Sequence, residues 1–270
     1  MKDIKDAPFL IEIKRTASNM YRLGWDERNS GNISLLLKEN EIKEYLDTSV
    51  VLKTFPINFN AKALAGKIFL VTGTGKYFKN IEYEPEENLG MLRITDDGCS
   101  AQLLWGFKGG TSPTSEFSAH LMCHITRLKT NPDNKIIMHA HPANLIAMTF
   151  INSFDDREFS RKLWQFCIEG IVVFPEGISV LPWMLCGTEE IAAATAEKMN
   201  NFRLVVWTQH GIFGAGSTID EAFGLIETAE KAAEIYIKTI HMPNLNIPSD
   251  KQIAALGDKW NVNYRKDWLD

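Results

Sequence analysis

Short apolar runs of strand length alternate along this chain with longer segments of helical period, and that alternation most restricts its fold. Ile33 to Leu37, Lys67 to Thr72, Cys99 to Trp105, Lys135 to His141, Gly170 to Phe174 and Leu204 to Trp207 read as strands. Residues 9–24 carry Leu10, Ile11, Ile13, Ala17, Met20 and Leu23 at helix spacing and stop at Gly24. Thr111-Ser-Pro-Thr-Ser-Glu116 opens a second helix, with hydroxyls at the N-cap and an acid in the first turn. Further helices are expected over 144–151, from Thr188 with Glu189 and Glu190, and from the capping box Thr218-Ile-Asp-Glu221 to about Lys238. Ser249 with Gln252 caps a last one that stops at Gly257. Residues 38–66 show no clear period. Long helical segments between strands favour helices on both faces of one mixed sheet, so the expected class is α/β, one domain over 1–270.

Other classes fall away. The net charge of −5 is spread without a block of like sign, which argues against a nucleic-acid groove or a membrane-binding face. No run approaches the ~18 apolar residues of a spanning helix. The first residues mix charges where a secretory signal is basic and then apolar. Cys99, Cys123, Cys167 and Cys186 lie far apart and form no C-x-x-C pair, the pattern of reduced, mostly buried thiols. A soluble cytoplasmic enzyme is the expectation.

The segment richest in chemistry is Ile136-Ile-Met-His139-Ala-His141-Pro142. Residues two apart on a strand face one side, so His139 and His141 project together, about 7 Å apart at the backbone. Two such imidazoles can converge on one zinc at about 2.0–2.1 Å per bond. Pro142 ends the strand at the pair. His210 closes another apolar strand, and Gly211 after it lets a ligand or neighbouring backbone approach closely. Each histidine alone has an ordinary structural reading, as a core residue or a strand end. Three at strand ends, out of six in the chain, favour a zinc site. His120 and His124 form a rival pair on one helix face, with no acid placed beside them. Glu116 is a fourth candidate, although at a helix start it can simply complement the dipole. Three histidines with a displaceable carboxylate make an open, catalytic site.

The glycine turns do not indicate a nucleotide. Phe78 stands where Gly73-Thr-Gly75-Lys76 needs the third glycine of a dinucleotide fingerprint, and Leu70 where a Walker loop needs its first. Gly214-Ala-Gly216 fails in the same way at Ile219. Such turns can still hold one phosphate through backbone N–H groups.

Asn29-Ser-Gly31-Asn32, Val71-Thr-Gly73-Thr74-Gly75-Lys76, Pro113-Thr114-Ser115-Glu116, His139-Ala-His141-Pro and Gln209-His210-Gly211 follow one another in this order. In that order the chain resembles the class II sugar-phosphate aldolases of the aldolase/adducin superfamily, from about residue 10 to 240. Gly24-Trp-Asp-Glu-Arg-Asn29, Val172-Val-Phe-Pro-Glu-Gly177 and Leu181-Pro-Trp-Met184 resemble one subgroup of them in particular.

The resemblance implies a three-layer α/β/α domain with a largely antiparallel sheet, and a zinc (Zn2+) held by His139, His141 and His210. It makes Glu116 the catalytic acid/base. Asn29, Gly31, Asn32, Thr74, Gly75, Thr114 and Ser115 would surround a substrate phosphate, with Thr74 where the family pattern carries serine. Glu169, ahead of Ile171–Phe174, would be a second acid given to a neighbouring subunit of a homotetramer. The implied reaction is reversible aldol cleavage of a ketose 1-phosphate to dihydroxyacetone phosphate and an aldehyde. Inserts near 40–66 and 99–110 argue against a shorter aldolase of the superfamily, and the related epimerase carries aspartate at the Glu116 position. The zinc histidines argue against a non-catalytic adducin-like module. Residues 241–270 match poorly and carry no assigned role.

Overall fold

In the computed structural model, residues 1–151 and 155–269 are described. Nine strands form one sheet: β1 Asn32–Leu37, β2 Lys53–Pro56, β3 Ile68–Thr72, β4 Leu89–Ile94, β5 Ser100–Gly106, β6 Ile136–Ala140, β7 Ser179–Leu181, β8 Leu204–Trp207 and β9 Gly211–Gly216. Their order is β2-β5-β4-β3-β1-β6-β9-β8-β7. Every pairing is antiparallel except β7 with β8, so the sheet is mixed and largely antiparallel.

The longer helices are α1 Pro8–Leu23, α2 Phe117–Thr130, α3 Ala143–Ile151, α4 Asp156–Phe166, α5 Glu189–Lys198, α6 Ile219–Thr239 and α7 Asp250–Lys259. Alternation along the central strands feeds two cores. Ile33 and Leu35 of β1, Met138 and Ala140 of β6 and Ile212 of β9 pack with α1, α3, α4 and α6 on one face. Ile137 of β6 and Phe213 and Ala215 of β9 pack with α2 and α5 on the other. Phe69 and Val71 of β3 meet Phe117 and Leu121 of α2 on that second face. Three layers, α/β/α, result. Among the described residues no helix is long and apolar enough to cross a membrane.

Local signals hold at most ends. Gly24 closes α1 in the left-handed region at φ 73°. Thr218 accepts from Glu221 N, and the Glu221 carboxylate takes Ser217 N at 2.7 Å, which starts α6. Four expectations need correction. Gly170–Val173 is one helical turn, not a strand, and β7 takes the parallel place beside β8 instead. A four-residue apolar run has no period with which to choose between the two. Gly214 and Gly216 lie inside β9, not in a turn. Their missing side chains make room for Ile226 and for the Ala222 backbone of α6, which a Cβ would meet at 3.0 and 2.7 Å. Helix α7 runs past Gly257, whose bare Cα packs under the Tyr264 ring. The thiols are unpaired, but only Cys123 is fully buried, and Cys99 and Cys186 are exposed.

Candidate active site

His139, His141 and His210 come together at one end of the sheet. Their ligand nitrogens all lie within 4.8 Å of one another. His139 is the penultimate residue of β6, His141 lies just beyond that strand, and His210 sits in the turn joining β8 to β9. Gln209 makes that turn possible by adopting a left-handed φ of 62°, and its N–H donates to Thr149 Oγ1 at 2.9 Å. Gly211 is required by the crowding. A Cβ there would stand 2.5 Å from the Ala140 carbonyl, 2.8 Å from His141 Cδ2 and 2.9 Å from His139 Cε1. The close approach expected of this glycine is therefore an approach of the two imidazoles.

Hydrogen bonds fix which nitrogens face inward. His139 Nδ1 donates to the Ile212 carbonyl at 3.1 Å, and the ring stacks on Phe213 at 4.5 Å. His141 Nδ1 donates to Glu27 Oε1 at 2.9 Å, while its backbone N–H donates to the Trp25 carbonyl. Both Nε2 atoms are then left with bare lone pairs, yet they stand only 3.1 Å apart. Two lone pairs so placed repel unless a cation lies between them, so the donor set fits a divalent metal. Burial pushes His139 well below the usual histidine range, helped by His141 and His210, and pushes His210 down to about 4. Neutral imidazoles are the form that ligates metal.

Glu116 borders this cluster. Its Oε2 lies 3.7 Å from His139 Nε2 and accepts from Asn32 Nδ2 at 2.8 Å. Burial raises its carboxyl above the usual range, against the Asn32 hydrogen bond and the nearby His141. It occupies the N-cap of α2, so the hydroxyls of Thr114 and Ser115 precede the cap instead of forming it. Thr114 Oγ1 accepts from Glu116 N at 3.3 Å.

The segments with the expected phosphate residues are partly knitted together. Gly73 bridges Pro113, Thr74 N donates to the Ser112 carbonyl at 2.9 Å, and Thr114 N donates to the Thr72 carbonyl at 3.0 Å. Thr74, Gly75 and Ser115 are exposed along this seam. Gly31, at φ 71°, lies against the His139 carbonyl, 3.1 Å from where a Cβ would be. Asn29 stands exposed in the turn leading to β1. Asn32 differs from the rest: its amide is taken up by Glu116 and by His120. Glu169 is exposed at the start of the one-turn helix, where its carboxylate accepts from Cys167 Sγ at 3.9 Å. A cavity of about 120 Å³ opens beside Glu116, lined also by Ser115, Met122, Ile191 and Trp207.

The family model for the class II aldolase and adducin N-terminal domain matches residues 11–237. The chain belongs to this family. It is 53% identical to a rhamnulose-1-phosphate aldolase of Listeria monocytogenes serotype 4b, over 99% of this chain and 98% of that protein. It is 54% identical to a rhamnulose-1-phosphate aldolase of Enterococcus faecalis, over 99% of this chain and 96% of that one. Among solved structures, a sugar-phosphate aldolase of Thermotoga maritima superposes with a TM-score of 0.76 at 29% identity, covering 87% of this chain and 96% of that one.

Residues that composition and spacing did not single out complete the centre. Glu27 and the Ile212 carbonyl orient two of the family histidines, as partners behind metal ligands usually do. Glu27 lies within the Gly24–Asn29 string, but its contact to His141 spans 114 residues. Only the fold could reveal it.

Proposed function

We propose that this protein is a zinc-dependent aldolase that reversibly splits L-rhamnulose 1-phosphate into dihydroxyacetone phosphate and L-lactaldehyde. The observation that carries the reading is the meeting of three inward-facing imidazoles with a buried carboxylate 3.7 Å away. The family and two relatives named for this substrate support it.

Breaking the C–C bond next to a ketone leaves negative charge on the ketone oxygen. A zinc ion, for which three histidine nitrogens are well suited, would supply a Lewis acid against that charge. His139, His141 and His210 would hold it, with Glu27 fixing the His141 ring. Glu116 moves the proton at the carbon that becomes nucleophilic. Its burial suits the task, because a carboxyl raised toward neutrality gives and takes a proton more readily. No Schiff-base lysine is needed. Asn29, Gly31, Thr74, Gly75, Thr114 and Ser115 surround the phosphate, and α2 adds the positive end of its dipole. Asn32, set beside these residues by the family pattern, also holds Glu116 through its amide nitrogen. The aldehyde-side hydroxyl needs a second proton acceptor, and Glu169 of a neighbouring subunit fills that role in a cytoplasmic homotetramer.

A panel of ketose 1-phosphates tests the substrate, with dihydroxyacetone phosphate measured by coupled reduction. The L-rhamnulose compound should have the highest kcat/KM. A higher value for the L-fuculose compound would reassign the sugar while keeping the chemistry.

A further inference from the structure

The pair His120 and His124, which the metal site does not use, belongs to a buried hydrogen-bonded chain that ends on Glu116. Both are fully buried on α2, facing Ser34 of β1. Ser34 Oγ lies 2.7 Å from His120 Nδ1 and 2.8 Å from His124 Nε2. His120 Nε2 bonds Asn32 Oδ1, and Asn32 Nδ2 bonds Glu116 Oε2. Asn32 and Ser34 point to the same face because they are two apart on β1, and Asn32 is the register partner of His139.

The proton directions in this chain follow from its outer end. An ionised Glu116 only accepts, so Asn32 must turn its NH2 toward it and its carbonyl toward His120. His120 then carries its proton on Nε2, and its bare Nδ1 takes the Ser34 hydroxyl proton. The Ser34 oxygen in turn accepts from His124 Nε2–H. That leaves His124 Nδ1 bare, and it is the one nitrogen of the chain with no partner. The assignment is therefore free of internal conflict. Burial keeps both rings neutral, with His124 pushed down to about 3 and His120 well below the usual range.

We infer that Asn32, His120, Ser34 and His124 are positioning residues that lock the Asn32 amide with its NH2 toward Glu116 and so hold that carboxylate in its working orientation. A free asparagine could present either its oxygen or its nitrogen, and its oxygen would repel the carboxylate. His120 removes that choice, because its Nε2–H donates and therefore needs the Asn32 carbonyl oxygen as its partner.

This inference rests on the role of Glu116 stated above, and two substitutions at one position separate it from mere packing. His120→Gln keeps a donor near the Nε2 position and loses the contact to Ser34. His120→Asn reaches only the Nδ1 position and loses the donor to Asn32. Both remove the imidazole. The expected result is a kcat for His120→Gln about 10–100-fold above that of His120→Asn, the usual cost of losing an orienting partner. KM and bound metal should match between the two. In crystal structures Glu116 should stay on Asn32 in the first variant and leave it in the second. Equal kcat in the two, or Glu116 unmoved in His120→Asn, overturns the inference. If neither variant folds, Ser34→Ala decides it: kcat should fall with KM unchanged, and an unchanged kcat overturns it. Glu116→Gln run in parallel keeps the two readings apart. If it retains turnover, the role of Glu116 itself fails. If it is inactive while the His120 variants do not differ, only the positioning role fails.

Discussion

Replacing Gly211 with alanine should damage metal binding more than folding. The added Cβ would lie under 3.0 Å from three atoms, two of them ring carbons of His139 and His141 and the third the Ala140 carbonyl oxygen. With metal bound, both rings are held on one centre and cannot turn aside. Without metal the rings can turn aside and only the clash with the Ala140 carbonyl remains, so the metal-bound form bears the additional strain of the two ring contacts. Overpacking of this kind costs about 1–3 kcal/mol, which corresponds to a loss of roughly 5–150-fold in affinity. Competition with a chromophoric zinc chelator measures it directly. Gly214→Ala is the control in the same strand. Its Cβ would meet only flexible carbons of Ile226 at 3.0 Å and Leu204 at 3.3 Å. Metal affinity should hold in that variant. If Gly211→Ala binds zinc as tightly as the parent, the packing of His139 and His141 around this glycine does not govern the site.

Three other outcomes are expected. Glu116→Gln should lower turnover by roughly 10²–10⁴ while metal stays bound, and near-normal turnover would move the proton transfer elsewhere. Asp26 is buried with no normal hydrogen bond to either oxygen, and burial, reinforced by Glu27, pushes its carboxyl up to about 7. A carboxyl raised from 3.8 to about 7 costs the fold stability as pH climbs between those values, and the loss is complete above them, so Asp26→Asn should gain more stability relative to the parent at about pH 8 than at about pH 5. Equal effects in urea melts at both pH values would contradict this. Mixing dissociated Glu116→Gln and Glu169→Gln subunits should restore activity above either parent if Glu169 acts across subunits, and no recovery in tetramers proven mixed by mass would exclude it.

What could be read from residues alone was what short-range geometry dictates. The period of a strand put His139 and His141 on one side, and Gly211 announced a tight approach beside His210. What escaped depended on register and packing across long separations. Glu27 reaches His141 over 114 residues, and Asn32 reaches Glu116 over 84. The pairing of β1 with β6 on one side and with β3 on the other sets those contacts, and no local pattern encodes it. His120 and His124 were visible as a pair, but Ser34, which joins them, lies on another strand. The glycines of β9 looked like a turn because their purpose is to admit α6, an element that follows them in the chain. The apolar run at Gly170 is too short to show a period, so its sequence reads equally as a strand where the fold has a helical turn.

Cleavage of L-rhamnulose 1-phosphate before and after metal removal tests the central claim most directly. The purified protein should contain about one zinc per chain. Stripping it with a chelator should abolish release of dihydroxyacetone phosphate while the circular dichroism of the fold persists, and added zinc should restore release. Full activity in protein proven free of metal would contradict the claim.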